Sequence, residues 1–118
     1  MRSHGYKATF NFIELPLFTE QITDLLDDAD YGRFQGELLR EPDKGDVIPH
    51  SGGLRKVRMR LPGRGKSGGA RVIYLHLPRH ETIVLFYAYT KAQRENLSPE
   101  QLKRLRQAVG VIKQEFKP

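Results

Sequence analysis

Between Leu54 and Tyr89 the chain reads as three strands in succession, and no other stretch restricts its fold so tightly. Leu54 to Leu61 alternates strictly. Arg55, Val57, Met59 and Leu61 fall on one side and Lys56, Arg58 and Arg60 on the other, the period of two that a pleated strand imposes. A glycine-rich loop, Pro62 to Gly69, leads into Arg71-Val72-Ile73-Tyr74-Leu75-His76-Leu77. Pro78 breaks that run, and Thr82 to Tyr89 supplies the next. The last two runs are apolar on both faces, as expected of central strands covered on each side. Short connections between three such segments predict an antiparallel meander.

Ala8 to Leu15 shows a rougher alternation and predicts a first strand, which Pro16 stops. Phe18, Ile22, Leu25 and Leu26 then recur at helical spacing. A second helix is expected after the Asp27-Asp28 caps, burying Tyr31, Phe34 and Leu38 and ending before Pro42. The acidic residues of both helices should lie on their outer faces. At the C-terminus, Ser98-Pro99-Glu100-Gln101 is a capping box with proline at the first helical position. Leu102, Leu105, Val109, Ile112 and Phe116 continue it as one apolar stripe. The predicted order is β-α-α-β-β-β-α. That is an α+β fold, a mainly antiparallel twisted sheet with an N-terminal helix pair and a C-terminal helix. With 118 residues there is length for one core, so a single domain over 1–118 is expected.

Charge is distributed unevenly along this frame. Met1 to Asp46 carries ten acids and five bases, Val47 to His80 eight bases and no acid, and Glu81 to Pro118 four acids and seven bases. The three parts are −5, +8 and +3, which sum to the net +6. Gathering the positive charge in one third of the chain makes a directed field, for which a polyanion is the natural partner. The chain has no cysteine, which excludes disulfides and thiolate chemistry and fits a reducing compartment. No apolar run suggests a signal peptide or a membrane span, so a cytoplasmic protein without a membrane partner is expected.

Lys56, Arg58 and Arg60 stand at every second position, about 6.5–7 Å apart along one strand face, close to the spacing of successive phosphates in an extended nucleic acid. Edge-strand protection alone would account for three bases. It does not account for Arg64, Lys66 and Arg71 following without an intervening acid. Gly65-Lys66-Ser67 superficially suggests a phosphate-binding P-loop, but the glycine that motif needs at position 60 is Arg, and a strand follows instead of a helix. His4, His50, His76 and His80 share no metal-ligand spacing with carboxylates, and His76 reads as a packed or hydrogen-bonded strand residue. Neither a metal nor a cofactor is expected. If the chain acts on phosphodiesters, Lys and Arg would stabilise charge at phosphorus while the substrate's own 2′-OH attacks, which requires RNA. Proton transfer would then fall to a Lys, a Tyr or a His nearby. Tyr87, Tyr89 and Lys91 share one face of the last strand as it exits.

Gly52-Gly53-Leu54-Arg55-Lys56-Val57-Arg58, then Gly63 to Tyr74, then Tyr89-Thr90-Lys91, resemble the RelE/HigB superfamily of bacterial toxins, nearest its HigB-like branch, over roughly Phe34 to Val109. The resemblance implies a microbial RNase-like fold and a metal-independent endoribonuclease that cuts mRNA in the A site of the 70S ribosome. It also implies neutralisation by a cognate antitoxin, with operator DNA reached only through the toxin–antitoxin complex. By position, Lys56, Arg58, Arg71 and Lys91 match the catalytic set. Arg55, Arg60, Arg64 and Lys66 are assigned to RNA binding. The chain departs from the RelE branch at Ala92, where an Arg is usual, and in having no Tyr after Tyr89. Two rivals remain: a ParE-like gyrase inhibitor of the same fold, and an RNA-binding module without turnover.

Overall fold

The computed structural model describes the backbone of residues 2–5 and residues 10–63, 69–93 and 97–116 in full. Strands β1 (Arg2–Gly5) and β2 (Asn11–Glu14) precede helices α1 (Pro16–Leu25) and α2 (Asp28–Arg40). Then come β3 (Asp46–Val47), β4 (Arg55–Met59), β5 (Ala70–Leu77), β6 (Thr82–Thr90) and helix α3 (Pro99–Glu115). They form a six-stranded sheet in the order β1-β2-β6-β5-β4-β3. β4-β5-β6 is the expected antiparallel meander, and β5 and β6 are central. β2 closes against β6 in parallel, the one parallel pairing among the described strands. The two-residue β3 and the terminal β1 are additions that periodicity cannot announce: both are shorter than a recognisable alternating run.

Each helix begins where its sequence directs. Pro16 opens α1, and the Asp27 carboxylate accepts the Asp30 N–H to cap α2. The Ser98 hydroxyl and Gln101 amide form the reciprocal capping box of α3. The helices cover opposite faces of the sheet. One core packs Phe18, Ile22, Tyr31, Phe34 and Leu38 of α1 and α2 against Phe12, Val57, Met59, Val72 and Tyr74. The other packs Leu105 and Val109 of α3 against Leu54, Ile73, Leu75, Val84 and Phe86. The strict alternation of β4 therefore has a physical meaning: Val57 and Met59 enter the first core, while Lys56 and Arg58 lie on the α3 side. A register shift opposite Ile73 and Tyr74 skips Phe86, which leaves Phe86 and Tyr87 packed on the same side.

Glu14 is fully buried in the first core, where its carboxyl oxygens accept hydrogen bonds from Thr19 Oγ1 and Tyr31 Oη, both at 2.7 Å. One side chain of β2 thus fastens both N-terminal helices.

The Gly52-Gly53 pair explains how α3 seats. Both adopt left-handed φ (83° and 112°), and a Cβ on Gly52 would stand 3.1 Å from Val109 Cγ1. Lys113 Nζ donates to the Gly52 carbonyl at 2.7 Å and Arg106 Nη1 to that of His50 at 3.3 Å, so two cations of α3 grip the turn. Gly52→Ala is expected to cost about 1–3 kcal/mol, read as a lower urea midpoint at unchanged m.

Candidate nucleic-acid interface

In β4 and β5, Arg58 and Arg71 are paired residues, and Arg71 is in turn paired with Tyr89 of β6. The next row on the same face is Lys56, Ile73 and Tyr87. Neighbouring strands lie about 4.8 Å apart, and like charges set directly opposite one another destabilise a sheet. Two guanidiniums held this way are a ready site for an anion, whose bidentate recognition suits arginine. Arg58 is exposed and Arg71 half-buried. Among the described residues Arg71 Nη1 makes one weak hydrogen bond, to the Ala70 carbonyl at 3.3 Å, and its other donors face no described acceptor.

β3 pairs only with Arg55 and Lys56, so among the described strands β4 is an open edge from Val57 onward. Beside that edge lies a cleft of about 810 Å³ whose lining includes Arg58, Arg60 and Arg71, with Phe34, Met59 and Leu61 as its apolar part. Asp30, Arg33 and Glu37 of α2 form its other side. Lys56 sits two residues back along β4, half-buried. Lys91 is exposed in the turn after β6, where Thr90 N–H donates to Gln93 Oε1 at 2.8 Å and Gln93 N–H to the Thr90 carbonyl at 3.0 Å. Thr90 pairs with Ala70, which puts Lys91 at the same end of the sheet as Arg71.

Two of the expected RNA-binding residues, Arg64 and Lys66, lie outside the described residues. Arg55 has a different setting from the other bases. It lies on the opposite face from Lys56 and is already engaged: Nη1 donates to the Asp43 carbonyl at 3.0 Å and the Gly45 carbonyl at 2.7 Å, with Nε 3.4 Å from the Asp43 carboxylate. His76 Nδ1 meets that carboxylate at 2.8 Å, a hydrogen-bonded strand histidine as its position suggested. Tyr74 completes the clasp by donating to the Pro42 carbonyl at 2.7 Å and accepting from Gly45 N–H at 3.0 Å.

Burial pushes the Tyr74 hydroxyl above its ordinary 10.0, against opposing pulls from the Gly45 hydrogen bond and the Arg55 charge. The folded chain thus holds this proton more tightly than the unfolded one. Its contribution is intact below pH 10.0 and is lost as pH rises beyond that toward the folded value. Tyr74→Phe is expected to lose about 0.5–1.5 kcal/mol for each hydrogen bond at neutral pH, and to shed this alkaline loss in urea titrations.

The acids lining the cleft were not legible as part of the site. Asp30 and Glu37 sit about twenty or more residues before the basic strand, and the helical period put them on an outer face. That face is the cleft wall: 30, 33, 34 and 37 follow i, i+3, i+4, i+7 along α2.

The fold is similar to those of solved toxin structures. One is the intact E. coli RelBE toxin–antitoxin complex, 13% identical, with 70% of this chain and 96% of that chain covered and a TM-score of 0.51. Another is E. coli RelE with two arginine-to-alanine substitutions in the free state, 14% identical, 84% and 99% covered, also at 0.51. At these identities the likeness defines the fold, a three-helix, mixed-sheet toxin fold. Family membership follows from the sequence match: residues 40–116 fit the model of the RelE toxin of the RelE / RelB toxin-antitoxin system, and the chain belongs to that family.

Proposed function

We propose that this toxin is a metal-independent endoribonuclease that cuts mRNA in the A site of the 70S ribosome and so inhibits translation. The observation that carries this reading is the in-register pair Arg58 and Arg71 on a basic strand, flanked on the same face by Lys56. In the proposed step the 2′-oxygen attacks the adjacent phosphorus, its proton passes to a base, and the P–O5′ bond breaks. The departing 5′-oxygen takes up a proton, leaving a 2′,3′-cyclic phosphate and a 5′-hydroxyl. Arg58 and Arg71 bind the two non-bridging oxygens and stabilise the negative charge that grows there. Lys56 holds the flanking phosphate, and Lys91 transfers a proton or contacts phosphate. Arg60, Arg64 and Lys66 hold ribosomal RNA. Arg55, committed to its own turn, serves that surface by fixing the start of β4.

The proposed partners follow from this reading: mRNA, the ribosome, and a cognate antitoxin of the kind present in the RelBE complex, through which alone operator DNA is reached. Such a protein works in the cytoplasm as a single domain of residues 1–118; among the described residues no helix is long and apolar enough to cross a membrane. Primer extension on mRNA from programmed 70S ribosomes tests the proposal. Cuts within the A-site codon are expected. Intact mRNA together with inhibited gyrase supercoiling would replace this reading with the gyrase-directed one.

A further inference from the structure

Beyond Lys56 the basic face of the sheet runs on to the turn that joins β3 to β4, and α3 borders that turn. Lys103, Arg106, Gly110 and Lys113 follow i, i+3, i+7, i+10 along α3, so they form one stripe, and all four are exposed. Arg106 and Lys113 are fixed there by the His50 and Gly52 carbonyls. A carbonyl holds a cation without cancelling its charge, and each of these side chains has further N–H donors. Among the described residues neither has an acidic partner, whereas Arg104, on another face of the helix, is paired with Glu100. Asp46 stands opposite Lys56 in the sheet and offsets part of its charge, but no ion pair joins the two among the described residues.

Gly110 lies between Arg106 and Lys113 on this stripe. A glycine inside a helix weakens it relative to alanine. Among the described residues a Cβ at Gly110 would meet nothing within 4 Å, so packing inside the chain does not call for a glycine there. What it provides is a close approach to the helix backbone between two fixed cations.

We propose that the edge of α3 beside this turn carries the message strand away from the cut. Arg106 and Lys113 each hold a backbone phosphate, and Gly110 lets the strand pass close to the helix. The inference rests on the nuclease reading above. Two helical turns separate the cations, about 10.5 Å along the axis, which an extended strand covers in two phosphate steps. The message is favoured over ribosomal RNA because the stripe continues the line that starts at the scissile phosphate. Arg58, Lys56 and the turn under α3 succeed one another on a single face of the sheet.

The test measures A-site cleavage against toxin concentration and salt on programmed ribosomes. It compares ordinary messages with messages whose phosphates flanking the codon are replaced by uncharged methylphosphonates. The double variant Arg106→Gln, Lys113→Gln keeps a donor for each carbonyl and removes both charges. On ordinary messages it is expected to raise the half-saturating concentration about tenfold or more, with a far smaller change in the saturating rate. Its salt slope should fall by about one for each lost contact. Wild type on the methylphosphonate message should show the same loss, and the double variant should lose little more there. Gly110→Ala favours the helix, so a raised half-saturating concentration for it reports a crowded strand and not a damaged fold. Equal loss by the double variant on both messages would overturn the proposal, assigning the two cations to ribosomal RNA or to the fold. An unchanged salt slope would overturn it as well. No cutting of any ordinary message by wild type would remove the nuclease reading and this inference with it.

Discussion

Arg71→Ala should slow A-site cleavage by about 100- to 1,000-fold, the cost of removing one preorganised donor from a developing oxyanion. Ribosome affinity should fall far less, because the other bases of the strand and loop remain. The fold should be nearly untouched: among the described residues Arg71 makes a single 3.3 Å hydrogen bond, to a neighbouring carbonyl. Arg71→Lys keeps the charge but not the planar fork, and is expected to recover only part of the loss. Single-turnover cleavage beside ribosome pelleting separates these effects. Equal loss of cleavage and binding would show that Arg71 serves affinity alone.

Ribosome binding should also weaken steeply with salt. If about six phosphates are neutralised by the bases of the 47–80 segment and Lys91, affinity should drop roughly a thousandfold between 50 and 200 mM salt. The uneven charge of −5, +8 and +3 along the chain predicts this slope, whereas the net charge of +6 spread evenly would not. Removing Arg60 should lower the slope by about one counterion, since it lies at the open edge without a described partner of its own. A flat response would contradict the electrostatic account.

The sheet's middle was legible because every strand there is long and patterned. β4 alternates since one face enters a core and the other meets solvent; β5 and β6 are mostly apolar on both faces since helices cover both. The helices announced themselves through Pro16, Asp27 and the Ser98–Gln101 box. The parallel β2–β6 pairing was not legible, because strand partners far apart in sequence leave no local trace. The same limit applied to the site. Lys56, Arg58 and Arg71 could be singled out from spacing, but Arg55, one residue away in the same run, proved to be bound to Asp43 and Gly45. Only the turn between α2 and β3 decides that, and it is held by Tyr74 from another strand. Glu37 was missed for the matching reason: helical periodicity tells inside from outside, but not which outside faces a neighbouring strand.

The most direct measurement uses mRNA carrying one 2′-deoxy nucleotide at the cleaved position of the A-site codon, on programmed 70S ribosomes, against the all-ribose message. The account predicts that the ribose message is cut to a 2′,3′-cyclic phosphate and a 5′-hydroxyl, and that the deoxy message stays intact. Cleavage of the deoxy message at the same bond would contradict it, because the attacking oxygen would then have to come from water or the protein.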